Sequence, residues 1–157
     1  MEIRRYEKRD LSQIIDLFYE TVHTVNRKDY SQEQVNTWAS SDERGSKFNT
    51  WGDSLAQNTT FVALDDRRIV GFSDLSSRGL IDRLYIHHEY QRIGIASALL
   101  NEIELAAHRI KLKKLRTEAS ITAKPFFERK GFQVITKQII NKNGITMPNY
   151  LMVKTLQ

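Results

Sequence analysis

Apolar residues fall three and four apart at Leu11, Ile14, Ile15, Phe18, Val22 and Val25, a stripe that predicts an amphipathic helix. Asp10 stands at its N-cap with Gln13 in the capping-box position. Ser31 and Gln34 repeat that pairing ahead of Val35 and Trp38, and the polar run Ser40 to Gly45 breaks this second helix. Phe48, Trp51 and Leu55 indicate a further helical turn or two. A strand is predicted over Glu2 to Tyr6. β-branched and apolar runs at Thr59 to Leu64 and Arg68 to Ser73 form a hairpin across Asp65-Asp66-Arg67. A third run, Leu80 to Ile86, follows the loop Ser76 to Gly79.

Beyond Gly94 the period changes again. Leu99, Ile103, Ala106 and Ile110 recur at helical spacing, so a helix runs to about Ile110. Leu115 to Ala119 reads as a strand, and Ala123 to Lys130 as a short helix closed by Gly131. Phe132 to Ile140 and Ile145 to Thr155 pair around Asn141-Lys142-Asn143-Gly144, where Asn-Gly is a strong turn signal. No repeat, linker or low-complexity segment interrupts the order. The pattern predicts one α+β domain over residues 1–157, built on a mixed sheet.

Composition narrows the class. A length of 157 residues suits one sizeable core, and 40% apolar with 27% charged residues is a globular balance. There is no cysteine, hence no disulfide or thiolate chemistry. The start Met1-Glu2-Ile3-Arg4-Arg5 has no apolar leader pattern, and no segment approaches the ~20 apolar residues of a membrane span. A cytoplasmic protein without a membrane partner is expected. The net charge of +5 is uneven: residues 1–78 hold 11 basic and 13 acidic side chains, net −2, and residues 79–157 hold 13 and 6, net +7. A polyanionic ligand would be drawn to the second half. Solvated helix faces are the plainer reading of that charge. The densest basic run, Lys111 to Arg116, belongs to no nucleic-acid-binding module.

The most specific chemistry lies at Gln91-Arg92-Ile93-Gly94-Ile95-Ala96. A glycine turn that opens a helix leaves backbone N–H groups and the positive end of the helix dipole facing one point, which suits a phosphate or pyrophosphate. Gly94 admits close approach of the backbone, Ala96 keeps the first turn narrow, and Arg92 adds charge. The three glycines of a dinucleotide fingerprint and the Gly-Lys-Ser/Thr ending of a P-loop are both missing. The spacing is Q/R-x-x-G-x-G/A.

The run IDRLYIHHEYQRIGIASALL resembles the acetyl-CoA-binding segment of the GNAT N-acetyltransferase superfamily, and EASITAKPFFERKGF resembles that family's next strand, loop and helix ending in Gly-Phe. The wording of the second run and NYLMVKTL is similar to a bacterial YafP-like subgroup. The resemblance implies a GNAT-like α+β fold: a mixed, mostly antiparallel sheet of six to seven strands flanked by about four helices. It also implies acetyl-CoA as co-substrate and direct transfer of the acetyl group to an amine of a small molecule, peptide or protein. Leu84, Tyr85 and Ile86 would hold the pantetheine arm and acetyl carbonyl through their backbone. Gln91, Arg92, Ile93, Gly94, Ile95, Ala96 and Ser97 would hold the pyrophosphate, with Lys124 and Phe127 also on the cofactor.

Amide formation needs a deprotonated amine, a polarised thioester carbonyl and a stabilised leaving thiolate. Asp82, a carboxylate interrupting an apolar strand, and Glu118, near the end of the next one, are the candidate bases. His87 and His88 follow the strand and read as solvated turn residues able to titrate near neutrality. In many family members a tyrosine four residues before Gly-Phe protonates the thiolate. Here that position is Phe127, and Ser120 stands where the family often has asparagine. Ser120, Tyr150 or water is left as the acid. His23, Tyr30 and Trp38 are candidates for an acceptor pocket, although Trp38 and His23 also fit a plain core. No metal-ligand spacing is evident. A catalytically silent acyl-CoA sensor is the alternative to an enzyme. The partner is an amine acceptor, with a homodimer left open.

Overall fold

The chain is described over residues 1–157 by a computed structural model. Seven strands form one sheet in the order β1-β2-β3-β4-β5-β7-β6. The strands are β1 (Glu2–Arg5), β2 (Thr59–Asp65), β3 (Arg68–Leu75), β4 (Leu80–Ile86), β5 (Lys114–Ala119), β6 (Gln133–Lys142) and β7 (Ile145–Thr155). All neighbours are antiparallel except β4 and β5. Four longer helices, α1 (Leu11–Thr24), α2 (Gln32–Trp38), α3 (Arg44–Gln57) and α4 (Ile95–Arg109), accompany the sheet, with the six-residue α5 (Lys124–Arg129). This is the mixed, mostly antiparallel α+β architecture that the sequence predicts.

Two cores lie on opposite faces. Leu99, Leu100 and Ile103 of α4 pack with Val70, Ile81, Leu115 and Met152 on one face. Ile14, Ile15, Phe18 and Val22 of α1 pack with Val62, Ile69, Phe72 and Leu55 on the other. Successive strand residues therefore serve different cores, Ile81 and Ile86 one, Tyr85 the other.

Several local expectations shift. Asp10 makes no side-chain cap on α1. Its carboxylate instead accepts two hydrogen bonds from Arg4 (2.8 and 2.9 Å) and one from the Glu7 N–H (2.8 Å), within a capping box one turn earlier. Ser31 and Gln34 do form the expected box. Gly45, read as part of a breaker, lies inside α3, which runs 14 residues; Leu55 is its one buried side chain, so its apolar period is faint. α4 ends at Arg109, and Ile110 is 53% exposed beyond it. The last hairpin closes tightly on Asn143 (φ 52°) and Gly144 (φ 82°), the left-handed pair of a type I′ turn.

Candidate functional site

The site starts from a parting of strands. β4 and β5 pair only at Leu80 with Arg116 and Ile81 with Thr117. Beyond Ile81, β4 stays with β3 as far as Gly71 opposite Ile86, while β5 stays with β7 as far as Ala119 opposite Tyr150. The β5-facing edge of β4 is thus left without a strand partner. The N–H of His87 donates to Val70 on β3 at 2.8 Å. By strand alternation the N–H groups of Leu84 and Ile86 point the other way, into the gap.

A cavity of about 320 Å³ opens at this gap, lined by 13 residues. Asp82 and Glu118 bring carboxylates to it, and Ser120 a hydroxyl. Tyr30, Trp38 and Tyr85 give it an aromatic wall. The Trp38 ring stands edge-on to Tyr30 at 5.3 Å. Tyr30 is fully engaged, donating to the Pro148 carbonyl at 2.6 Å and accepting from the Ile121 N–H at 2.9 Å. Burial pushes the Tyr85 phenol far above its ordinary value, so it stays protonated and gives its proton up poorly. With Leu80 and Ile81 at the start of the gap, the wall is completed by Ile140, Lys142, Met147, Pro148 and Asn149. The latter residues come from the β6–β7 hairpin, which the linear sequence gives no reason to place beside β4.

The carboxylate expected to be buried at position 82 is not. The β3–β4 register slips between Asp74 and Leu75, where Arg83 and Ile81 are the partners, leaving Asp82 as the extra residue of a bulge. Its side chain is 43% exposed, with Arg83 at 3.6 Å. On the neighbouring strand Asp74 is buried; it takes an ion pair from Arg83 and a hydrogen bond from Asn58 (2.9 Å) and leaves Oδ1 unpartnered. Burial raises the Asp74 carboxyl above its usual value against the pull of Arg83 and Asn58. Glu118 is exposed and reached by Gln138 at 3.4 Å.

At the far end of β4, Gly94 opens α4 with φ +92° and no side-chain cap. The first helical bond runs from the Ala98 N–H to the Gly94 carbonyl at 3.0 Å, so the N–H groups of Ile95, Ala96 and Ser97 have no intrahelical partner. Arg92 and Ile93 are exposed beside them. Gln91, expected on the cofactor, turns inward: its Nε2 donates to the Ile86 carbonyl at 2.6 Å and ties the loop to the strand. Ser120 Oγ accepts from the Ala123 N–H at 3.0 Å, ahead of α5.

Other candidates fall elsewhere. His23 contacts the Ala39 carbonyl (3.1 Å) and does not line the cavity. Tyr150 also lies outside it, with the Lys124 ammonium 5.1 Å from its ring centroid. Phe127 is 2% exposed and packs edge-on against Phe126 and Phe132. Nor is His87 solvated: it is 2% exposed, and its Nδ1 accepts from the Glu89 N–H at 3.0 Å. Glu20 Oε1 lies 3.2 Å from its Nε2. Glu20, His87 and His88 form the one cluster with metal-ligand geometry. Arg68 Nη2 lies 2.8 Å from the same His87 Nε2, so a guanidinium already supplies the positive charge at this cluster.

Residues 26–154 match the acetyltransferase (GNAT) domain family. The chain is 36% identical over 152 residues to a protein of Escherichia coli (strain K12) described as the uncharacterized N-acetyltransferase YafP, covering 97% of this chain and 94% of that one. Its fold is similar to a GCN5-related N-acetyltransferase of Rhodopseudomonas palustris (TM-score 0.91, 28% identity, 99% and 95% of the two chains). It is also similar in fold to the PaiA N-acetyltransferase of Thermoplasma acidophilum in complex with coenzyme A (TM-score 0.80, 20% identity, 99% and 98%).

Proposed function

The chain belongs to the GNAT acetyltransferase family and is an N-acetyltransferase with acetyl-CoA as co-substrate; from that premise we propose how its residues divide the work. The pyrophosphate sits on the free N–H groups of Ile95, Ala96 and Ser97. The pantetheine arm runs down the parted edge of β4, and the thioester carbonyl takes a hydrogen bond from the N–H of Leu84 or Ile86. The amine enters through the cavity on the opposite side and attacks the carbonyl carbon. The carbon–sulfur bond breaks, the amide remains on the acceptor, and coenzyme A leaves as thiolate.

Asp82 or Glu118 takes the proton the amine must lose, directly or through water. The observation that carries this reading is that the two carboxylates line the cavity where β4 parts from β5. Ser120 lines the same cavity, and it or water returns a proton to the thiolate. The coenzyme A thiol is acidic enough to leave without a strong acid. No helix is long and apolar enough to cross a membrane; we place the enzyme in the bacterial cytoplasm, acting on a small-molecule or peptide amine.

Rate–pH profiles test the base. An alkyl amine with a pKa of about 10.4 is mostly ammonium at pH 7. Asp82→Asn or Glu118→Gln lowers the maximal rate at neutral pH by ~10²-fold or more. The defect shrinks at high pH, and acetyl-CoA affinity barely changes. Profiles of both variants that track the wild type remove these residues from the role.

A further inference from the structure

The cavity is not electrically uniform. Its β4–β5 end carries the exposed carboxylates Asp82 and Glu118; the β6–β7 hairpin contributes Lys142. Lys142 Nζ reaches Glu43 Oε1 at 2.6 Å. Behind it on α3, Lys47 lies 5.2 Å from the Phe18 and Trp51 ring centroids. Phe18 in turn packs edge-on against Tyr85, part of the cavity wall, at 5.1 Å.

Lys47 is half-buried, and no carboxylate forms an ion pair with it. Burial, Lys142 and Arg83 push its ammonium below the ordinary lysine value, and Glu43 only partly offsets them. Arg83 is already matched by Asp74, and Lys142 by Glu43. Asp82 stands farther from Arg83, at 3.6 Å, and Lys47, beside Phe18 and Trp51 behind the cavity lining, is the one cation of the three without a carboxylate in ion-pair range. An unpaired ammonium in such a place is costly without an anion, and the field it sets up is stronger there than in water.

Resting on the transferase reading above, we infer that the acceptor is a small bipolar molecule, an amine that also carries a carboxylate or comparable anionic group. Its ammonium meets Asp82 and Glu118, its anion meets Lys142, with the charge of Lys47 behind the lining adding to the field there, and an apolar middle packs against Trp38. At about 320 Å³ the cavity lies at the small end of ligand sites. A diamine or polyamine would bring a second cation to the lysine end and be repelled, so the same charges that admit an amino acid-like acceptor select against polycations.

Matched acceptors test this. Turnover is followed with 4-(aminomethyl)benzoate, 4-(aminomethyl)benzamide and 1,5-diaminopentane, and binding of each to the coenzyme A complex is measured by calorimetry. The acid is expected to exceed its amide by tenfold or more in kcat/KM, chiefly through KM, and to exceed the diamine by more. Lys47→Met and Lys142→Gln each reduce the acid-to-amide ratio several-fold, and the double variant brings it near one. The ratio is taken within each variant, so a general loss of active protein does not move it. Equal or better turnover of the amide or the diamine by the wild type overturns the anionic acceptor and leaves acetyl transfer standing. Tighter calorimetric binding of the acid with no turnover of any amine overturns the transferase reading and leaves the charge selection standing.

Discussion

His87 and Asp82 each occupy the environment the sequence would have assigned to the other. A histidine after a strand reads as solvated, yet His87 is enclosed between α1 and the loop after β4, with Glu20, Arg68 and Glu89 on its ring. Burial lowers its pKa, Arg68 and His88 add to the effect, and Glu20 opposes it. A charged imidazolium would stand beside the Arg68 guanidinium, and its protonated Nδ1 could no longer accept from the Glu89 N–H. The folded state therefore binds that proton less readily than the unfolded chain, whose histidine titrates near 6.5. The stability His87 contributes is complete above that value and is lost as pH falls through the depressed folded value. Urea melts between pH 5 and 8 should show this acid loss in the wild type. His87→Asn, which keeps an acceptor at the Nδ1 position but does not titrate, should flatten the slope. Equal slopes would remove His87 as its source. Phe127 carries a different lesson. Its lack of a hydroxyl is plain in the sequence, and its place among Phe126 and Phe132 gives the ring a packing role.

At the scale of elements, the helix start at Gly94 was legible because its requirement is local. A left-handed residue followed by a helix that lacks a side-chain cap exposes N–H groups wherever it occurs. Gly94 (φ +92°) has open space around its missing Cβ, so a substitution there meets backbone strain of about 1–2 kcal/mol rather than a clash. Gly94→Glu and Ala96→Glu should each weaken acetyl-CoA binding more than tenfold by bulk and like charge. Ala96→Glu, at a helical position, should do so without the backbone penalty. Calorimetric titration of the folded variants checks this, and unchanged affinity would take the loop out of the cofactor site. The acceptor wall was not legible in the same way. Lys142 and Met147 reach Tyr30 and Trp38 because β7 inserts between β5 and β6, a strand order that no residue of the hairpin announces.

At the scale of the molecule, one sheet separates two cores, and both the N–H groups of β4 and the N-terminus of α4 lie where residues 79–157 hold 13 basic and 6 acidic side chains. A polyanionic cofactor should bind more weakly as this field is screened. Acetyl-CoA affinity measured from 50 to 500 mM salt should fall several-fold, because the Debye length drops from over 10 Å to a few Å across that range. A flat salt dependence would assign the charge asymmetry to solvation alone. The sequence by itself determined the strand and helix alternation, the phosphate turn, the missing tyrosine at Phe127 and the membership these imply, all properties of neighbours a few residues apart. Only the tertiary structure decided that Asp82 is turned outward by a bulge while Asp74 is buried, that His87 is enclosed, and that Lys47 and Lys142 come within electrostatic reach of one another. The bulge that sets Asp82 and Asp74 apart is a matter of strand register, while His87 and Glu20, 67 residues apart, and Lys47 and Lys142, 95 apart, are brought together only when the strand order is fixed, and local periodicity encodes neither.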